Sequence, residues 1–593
     1  MPSASQAGNN AVPKMIPLLV CLLLPLGAAA EQSPQALARL IVDFSAFDGA
    51  DDPFTAAAEG DDAALSLLPD VTAAADGQRD RVLKAFQRRL DAIADAGLTP
   101  AQRLNRDLLR REIRERLAEL QFDTARMPFS NDSGFHTRLA EQASFLPMRG
   151  LQDAEAWLKR LDAAPGYYQA NLDNIRRGLS SGFLQPRPVA ELIARQAREQ
   201  ADRSVDNDPL LAPLNRLPIS VSAEQAAELR ARARRLIAER LRPAQFAFAD
   251  LMEKEYLPAA REQLGARMQP DGQAYYRWLV AHHTTTDLDP DQVHALGLHE
   301  VARIRAEMEK QIRSSGFQED FPSFLAFLRS DPRFYVDDRQ KLLEKVSEIA
   351  KRIDDQLPGH FGRLPRLTYG VRPVPAEIEE NYTSGRYFEG SPARGIAGGL
   401  MINTSHLDQR PLFEMPALAL HEGVPGHHLQ IALAQELTDL PAFRRHAYVT
   451  AFVEGWGLYA EQLGTEMGIY RDPYEVFGQL SFEMWRACRL VADTGLHWLG
   501  WSRDQATACF TENTALSPAN IESEVLRYIS WPGQALAYKI GELKIVELRR
   551  RAEQQLGNRF DERTFHDEVL LAGPLPLDLL EARVDRWLRT QRP

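Results

Sequence analysis

Met415-Pro416-Ala417-Leu418-Ala419-Leu420-His421-Glu422-Gly423-Val424-Pro425-Gly426-His427-His428 begins as a helix and cannot finish as one. Pro416 suits a first helical turn, and the apolar residues after it bury the segment. Pro425 then lacks the N–H that would bond the carbonyl of His421, and its ring would clash there. Gly423 and Gly426 permit the backbone angles of a break. The break matters because of what flanks it. In an unbroken helix His427 and His428 would stand about 9 to 10.5 Å above His421 along the axis. Bonds of about 2.1 Å could not bring such imidazoles to one ion. With two residues looped out, His427 takes the position one turn above His421; with three, His428 does. We favour His427, with His428 lining the site or acting as the alternative ligand.

Two imidazoles with a Glu directly after the first are what a metal-activated water requires: ligands, and a base for its proton. The stretch resembles the H-E-x-x-H signature of zinc peptidases with two residues inserted. A third protein ligand is needed. Glu454, in Ala451-Phe452-Val453-Glu454-Gly455-Trp456-Gly457, is the best candidate, because a lone carboxylate among small and apolar residues must be paired or metal-bound. Glu461, seven residues on and on the same helical face, is the alternative ligand or a group behind it.

Other positions carry weaker signals. Arg489, Asp493 and His497 recur every four residues, so one helix face would stack them. Asp493 could then orient His497, Arg489 could hold Asp493 ionised, and His497 could donate to an oxyanion. Tyr528 and Tyr538 flank Trp531-Pro532-Gly533-Gln534, and either hydroxyl could serve the same oxyanion. His406, His446 and His566 lack partner spacing and read as structural or surface residues. No G-x-S-x-G occurs, and no His lies near the mature cysteines in sequence, which argues against a serine or cysteine nucleophile.

The downstream Phe452-Val453-Glu454 is similar to Glu-ligand zinc peptidases of the thimet-oligopeptidase type. The closer resemblance is to the bacterial domain-of-unknown-function family 885. It rests on His421–Gln430, on Val491-Ala492-Asp493-Thr494-Gly495-Leu496-His497 and on Pro532-Gly533-Gln534-Ala535. It covers most of the chain after about residue 360 and, more loosely, the helical part before it. The resemblance implies one Zn²⁺ per chain on His421, His427 and Glu454, with Glu422 as base. It implies hydrolysis of a peptide, or of a small non-peptide amide or ester. A non-catalytic exported peptide-binding protein is the reading from another class, and an intact Glu422 argues against it.

The rest of the chain sets the frame. With 593 residues, 44% of them hydrophobic, it can bury a large core. A formal charge of −12 and the lack of a basic patch argue against nucleic acid. Lys14, the apolar run Ile16–Leu26 and Gly27-Ala28-Ala29-Ala30 read as an export signal over residues 1–30, too short for a stable membrane anchor. Cys21 lies inside it, after a Val20 too large for a good lipoprotein-processing site. The mature chain keeps Cys488 and Cys509, which could pair in a periplasmic or secreted protein or remain buried thiols. Residues 31–350 read as a mainly helical lobe, with amphipathic stretches at Arg79–Ala94 and Ala223–Glu239. Residues 351–593 read as the lobe carrying the site. Within it Leu367–Val371 and Gly399–Thr404 read as short strands, the second introduced by the Gly-rich turn Arg394–Gly398. An edge strand there could pair with an extended peptide. The expected fold is mainly α: two helical lobes, a small sheet beside the zinc-binding helix, and a deep cleft.

Overall fold

The computed structural model describes residues 33–591 apart from 147, 376–378, 380–382, 393–394 and 446. The export signal with Cys21, His446 and Arg394 of the Gly-rich turn lie outside these residues. Helix dominates throughout, and the described strands form a single three-stranded sheet. The amphipathic stretches are helices with shifted ends. The first runs Ala73–Asp91, started by the Thr72 hydroxyl accepting the amide of Ala75. The second is α-helical over Ala223–Arg235 and continues as a π-turn over Leu236–Leu241.

The elements around the site are α1 (Gly272–Thr284), α2 (Pro290–Ser314), α3 (Met415–Glu422), α4 (His427–Gln435), α5 (Thr450–Glu466), α6 (Pro473–Thr494), α7 (Pro518–Ser530) and α8 (Ala537–Leu556). The α2–α6 and α5–α8 pairs pack over their lengths. Glycine explains how closely the second pair approaches. A Cβ on Gly541 would sit 1.8 Å from the Ala451 carbonyl, and one on Gly455 would sit 2.4 Å from the Gly541 backbone. The helix bearing Glu454 is thus held backbone to backbone. One apolar core runs from Phe54 to Leu588, and a smaller cluster joins Leu37, Phe44, Leu90 and Leu109 near the start of the described chain.

The sheet has the order β1–β3–β2: β1 is Tyr369–Pro373, β2 Gly385–Phe388 and β3 Gly398–Ile402. β1 and β3 are parallel, with Val371 opposite Leu400, while β2 runs antiparallel to β3, with Tyr387 opposite Leu400. The two expected strands are present, each shifted by one or two residues. β2 escaped the sequence reading because Gly-Arg-Tyr-Phe is short and does not alternate apolar with polar. It packs beside α3, which brings the sheet to the broken helix. Cys488 and Cys509 form a disulfide that ties α6 to the following helix, Arg503–Asn513. Among the described residues, no helix is long and apolar enough to cross a membrane.

Candidate metal centre

The break after Glu422 loops out two residues. The Gly426 amide bonds the carbonyl of Leu420, six residues back where an α-helix would bond four back, and α4 restarts at His427. Gly426 is required: a Cβ there would lie 2.0 Å from the His421 carbonyl oxygen. The Trp456 indole N–H bonds the Pro425 carbonyl at 2.8 Å and pins the loop to α5.

His421, His427 and Glu454 converge, each offering one ligand atom within 4.8 Å of the others. Glu454 Oε2 lies 3.5 Å from His421 Nε2 and 3.4 Å from His427 Nε2. All three side chains are buried. Gly457, one turn after Val453 on α5, makes room, since a Cβ there would lie 2.6 Å from the His421 ring. His421 Nδ1 contacts Glu461 Oε1 at 2.7 Å. Donation from Nδ1–H to that carboxylate leaves Nε2 of the neutral ring as a bare lone pair. A lone pair aimed at a carboxylate oxygen repels it unless a cation lies between. Donors bound at about 2.1 Å to one tetrahedral ion stand about 3.4 Å apart, which is the spacing of Glu454 from each imidazole. The donor set therefore fits zinc. Without metal, a proton does the same work. Burial would lower the His421 value, but Glu454 and Glu461 overcome it and raise it to about 10. Burial would likewise raise the Glu454 carboxyl, yet His427 and His421 hold it well below its ordinary value.

The surrounding groups have separate tasks. Glu461 stands behind His421 and outside the ligand set, with Arg486 3.7 Å from the same oxygen. Glu422 Oε2 accepts the Tyr387 amide of β2 at 2.7 Å, and its other oxygen has no partner among the described residues. His427 turns into the cluster and His428 turns away from it. His428 Nε2 bonds the Leu367 carbonyl at 2.9 Å and Nδ1 meets the Tyr387 hydroxyl at 3.1 Å, so this ring fastens α4 to the sheet. Tyr448, which the sequence reading missed, donates its hydroxyl to Glu454 Oε1 at 3.0 Å. Its residue is 63% exposed while its hydroxyl turns inward. The burial of that hydroxyl and the charge of Glu454 hold the phenol well above its ordinary range, so it stays a donor. No spacing rule links position 448 to 454 across a helix start.

The expected Arg489–Asp493–His497 relay does not form. After Thr494 the helix widens to a π-turn over Gly495–Leu499, which breaks the four-residue register that would stack His497 on Asp493. Each residue has its own partners. Arg489 bonds Glu524 and the Tyr528 hydroxyl, both at 3.0 Å. Asp493 accepts the Tyr276 hydroxyl at 2.6 Å and the Gly533 amide at 3.0 Å. His497 Nδ1 accepts the Ala266 amide at 3.0 Å and its Nε2 donates to the Tyr528 carbonyl at 2.8 Å. Burial lowers His497 to about 4, so the ring is neutral and both nitrogens are engaged. It has no donor left for an oxyanion. Tyr528 is likewise consumed: its hydroxyl donates to Glu524 at 2.6 Å and accepts from Trp485 at 3.0 Å. Tyr538 differs, because its oxygen accepts from Arg527 at 3.3 Å and leaves its own proton free. His566 is a buried structural residue between Tyr459 and the His360 carbonyl.

This chain matches, over residues 53–584, the family described as "Bacterial protein of unknown function (DUF885)". It belongs to that family. Among solved structures of similar fold, a "putative lipoprotein" from Colwellia psychrerythraea is 26% identical, with a TM-score of 0.88 over 94% of this chain and 100% of that one. A "putative lipoprotein of unknown function" from Shewanella oneidensis is 19% identical, with a TM-score of 0.71 over 93% of this chain and 99% of that one. The latter likeness is one of fold alone. No curated protein matches the chain.

Proposed function

We propose that this DUF885 protein is an exported zinc-dependent hydrolase of peptide bonds, of the Glu-ligand type that includes thimet oligopeptidase. The observation carrying the reading is the convergence of His421 Nε2, His427 Nε2 and Glu454 Oε2 beside a carboxylate, Glu422, that is held by one oxygen and open at the other. A zinc ion on those three residues would polarise a carbonyl and acidify a water. The protein's own groups do the rest. Glu422 takes a proton from the attacking water and returns it to the leaving amine. Tyr448 fixes the outer oxygen of Glu454 and leaves the inner one for the ion. Tyr538, with its oxygen occupied by Arg527, directs its proton outward to a developing oxyanion. The edge strand β2, whose Tyr387 amide already bonds Glu422, offers main-chain pairing to an extended substrate, which favours peptides over other amides. Export rests on the leader sequence, on the Cys488–Cys509 disulfide and on the description of the Colwellia protein as a lipoprotein.

The test is metal content and peptide cleavage for the wild type, His421→Ala and Glu422→Gln. Near-stoichiometric zinc in the wild type and Glu422→Gln, its loss in His421→Ala, and cleavage of a mixed peptide library by the wild type alone are expected. Cleavage undiminished in Glu422→Gln, or no zinc after reconstitution, overturns the proposal.

A further inference from the structure

A further cavity is lined by none of the cluster residues His421, His427 and Glu454. A cavity of about 440 Å³ opens between α1, the segment Phe129–Gly134 and the turn Trp531–Pro532, within the about 300–1,000 Å³ range of small-molecule sites. One wall is a run of rings on α1: Tyr275 and Trp278 at 5.9 Å, Trp278 and His282 at 5.4 Å, His282 and His283 at 4.9 Å, then His283 and Trp531 at 6.2 Å. The walls are anchored by the residues expected to form a catalytic relay. His497 ties Ala266 to Tyr528, and Asp493 ties Tyr276 to Gly533. Gln185 bonds the carbonyls of Phe129 and Ser530, both at 3.1 Å, and closes the far side.

The groups left unpaired in this cavity define its ligand. Arg261 lines it, spending Nε on the Leu184 carbonyl and Nη1 on those of Gln263 and Gly265. Its Nη2 has no hydrogen bond and no carboxylate pairs with it among the described residues. Glu119 stands exposed at the rim without an ion-pair partner. The hydroxyl of buried Tyr275 and the imidazole of buried His283 have no hydrogen-bond partner among the described residues either. A cation and a carboxylate without ion-pair partners among the described residues, and aromatic faces that attract ammonium groups, line one cavity. We infer that this cavity binds a small zwitterion with an apolar body, the chemistry of a free amino acid or dipeptide. The carboxylate goes to Arg261, the ammonium to Glu119 and the faces of Tyr275 and Trp278, and the side chain to the Phe129–Trp531 wall. Because α1 also packs against α5 and α8, the site adjoins the elements carrying Glu454 and Tyr538. The inference does not depend on zinc.

The experiment titrates the metal-stripped full chain with L-phenylalanine, phenethylamine and 3-phenylpropionate, following heat and tryptophan emission. L-Phenylalanine is expected to bind once per chain, with each truncated analogue at least about tenfold weaker for the loss of one charge-assisted contact. Glu119→Gln should bring phenylalanine down to the level of phenylpropionate and leave phenylpropionate unchanged. His421→Ala should bind phenylalanine like the wild type, which separates this site from the metal reading. The inference is overturned if phenylalanine gives no signal at millimolar concentration, if an analogue binds as tightly, or if Glu119→Gln has no effect on it.

Discussion

Glu461 shows how one side chain can prepare a ligand for a metal it would not itself touch. Its 2.7 Å contact with His421 Nδ1 fixes which ring nitrogen bears the lone pair. Groups in this position tune affinity by about 10- to 100-fold, so Glu461→Ala should weaken zinc by that factor, read by competitive chelator titration, with the fold kept by circular dichroism. Asp493 gives a second prediction at this scale. Burial raises it from an ordinary 3.8 to about 7, so the fold prefers the neutral acid. Its contribution to stability is full below about pH 4 and is lost as pH rises through 7. Asp493→Asn keeps an acceptor for Tyr276 and Gly533 but cannot ionise. Its urea midpoint should therefore gain on the wild type between pH 4 and pH 8; a constant difference would refute the assignment. The convergence of His421, His427 and Glu454 was legible because their residue types restrict the chemistry and the isolated carboxylate demands a partner. Tyr448 was not, since a tyrosine before a helix carries no signal of the oxygen it will meet.

At the scale of elements, the site depends on glycines where helices touch. A Cβ at Gly457 would press on the His421 ring. Gly457→Ala should push that ring off its ligand direction and lower zinc content while far-ultraviolet ellipticity is unchanged. Gly541→Ala adds atoms where the Ala451 carbonyl already sits, and overpacking of this kind destabilises by about 1–3 kcal/mol, measurable by urea denaturation. The helix break was readable because Pro425 forbids continuation and the two flanking glycines allow it. The π-turn at Gly495–Leu499 was not, because one extra residue per turn leaves the composition of a helix unchanged. That single residue separated His497 from Asp493 and made wall anchors of both.

For the molecule as a whole, the helical class followed from periodicity and the strand-like patch from residues 367–404, whereas β2 gave too short a pattern. The Cys488–Cys509 pairing depends on two helices meeting in space, so spacing alone left it open. The disulfide spans 21 residues, and the chain-entropy relation gives about 3 kcal/mol for a loop of that size. Replacing both cysteines by Ala should lower the unfolding free energy by that order, whereas a reductant should affect the wild type and leave the variant unchanged. The contact between Gly455 and Gly541 has a thermal consequence. A joint made of main chain alone has no side-chain rotamers to set free on warming. The helix carrying the Glu454 carboxylate is therefore expected to hold its place until the core around it opens, read on heating as loss of the cluster's geometry together with near-ultraviolet ellipticity; earlier loss of the cluster would refute this.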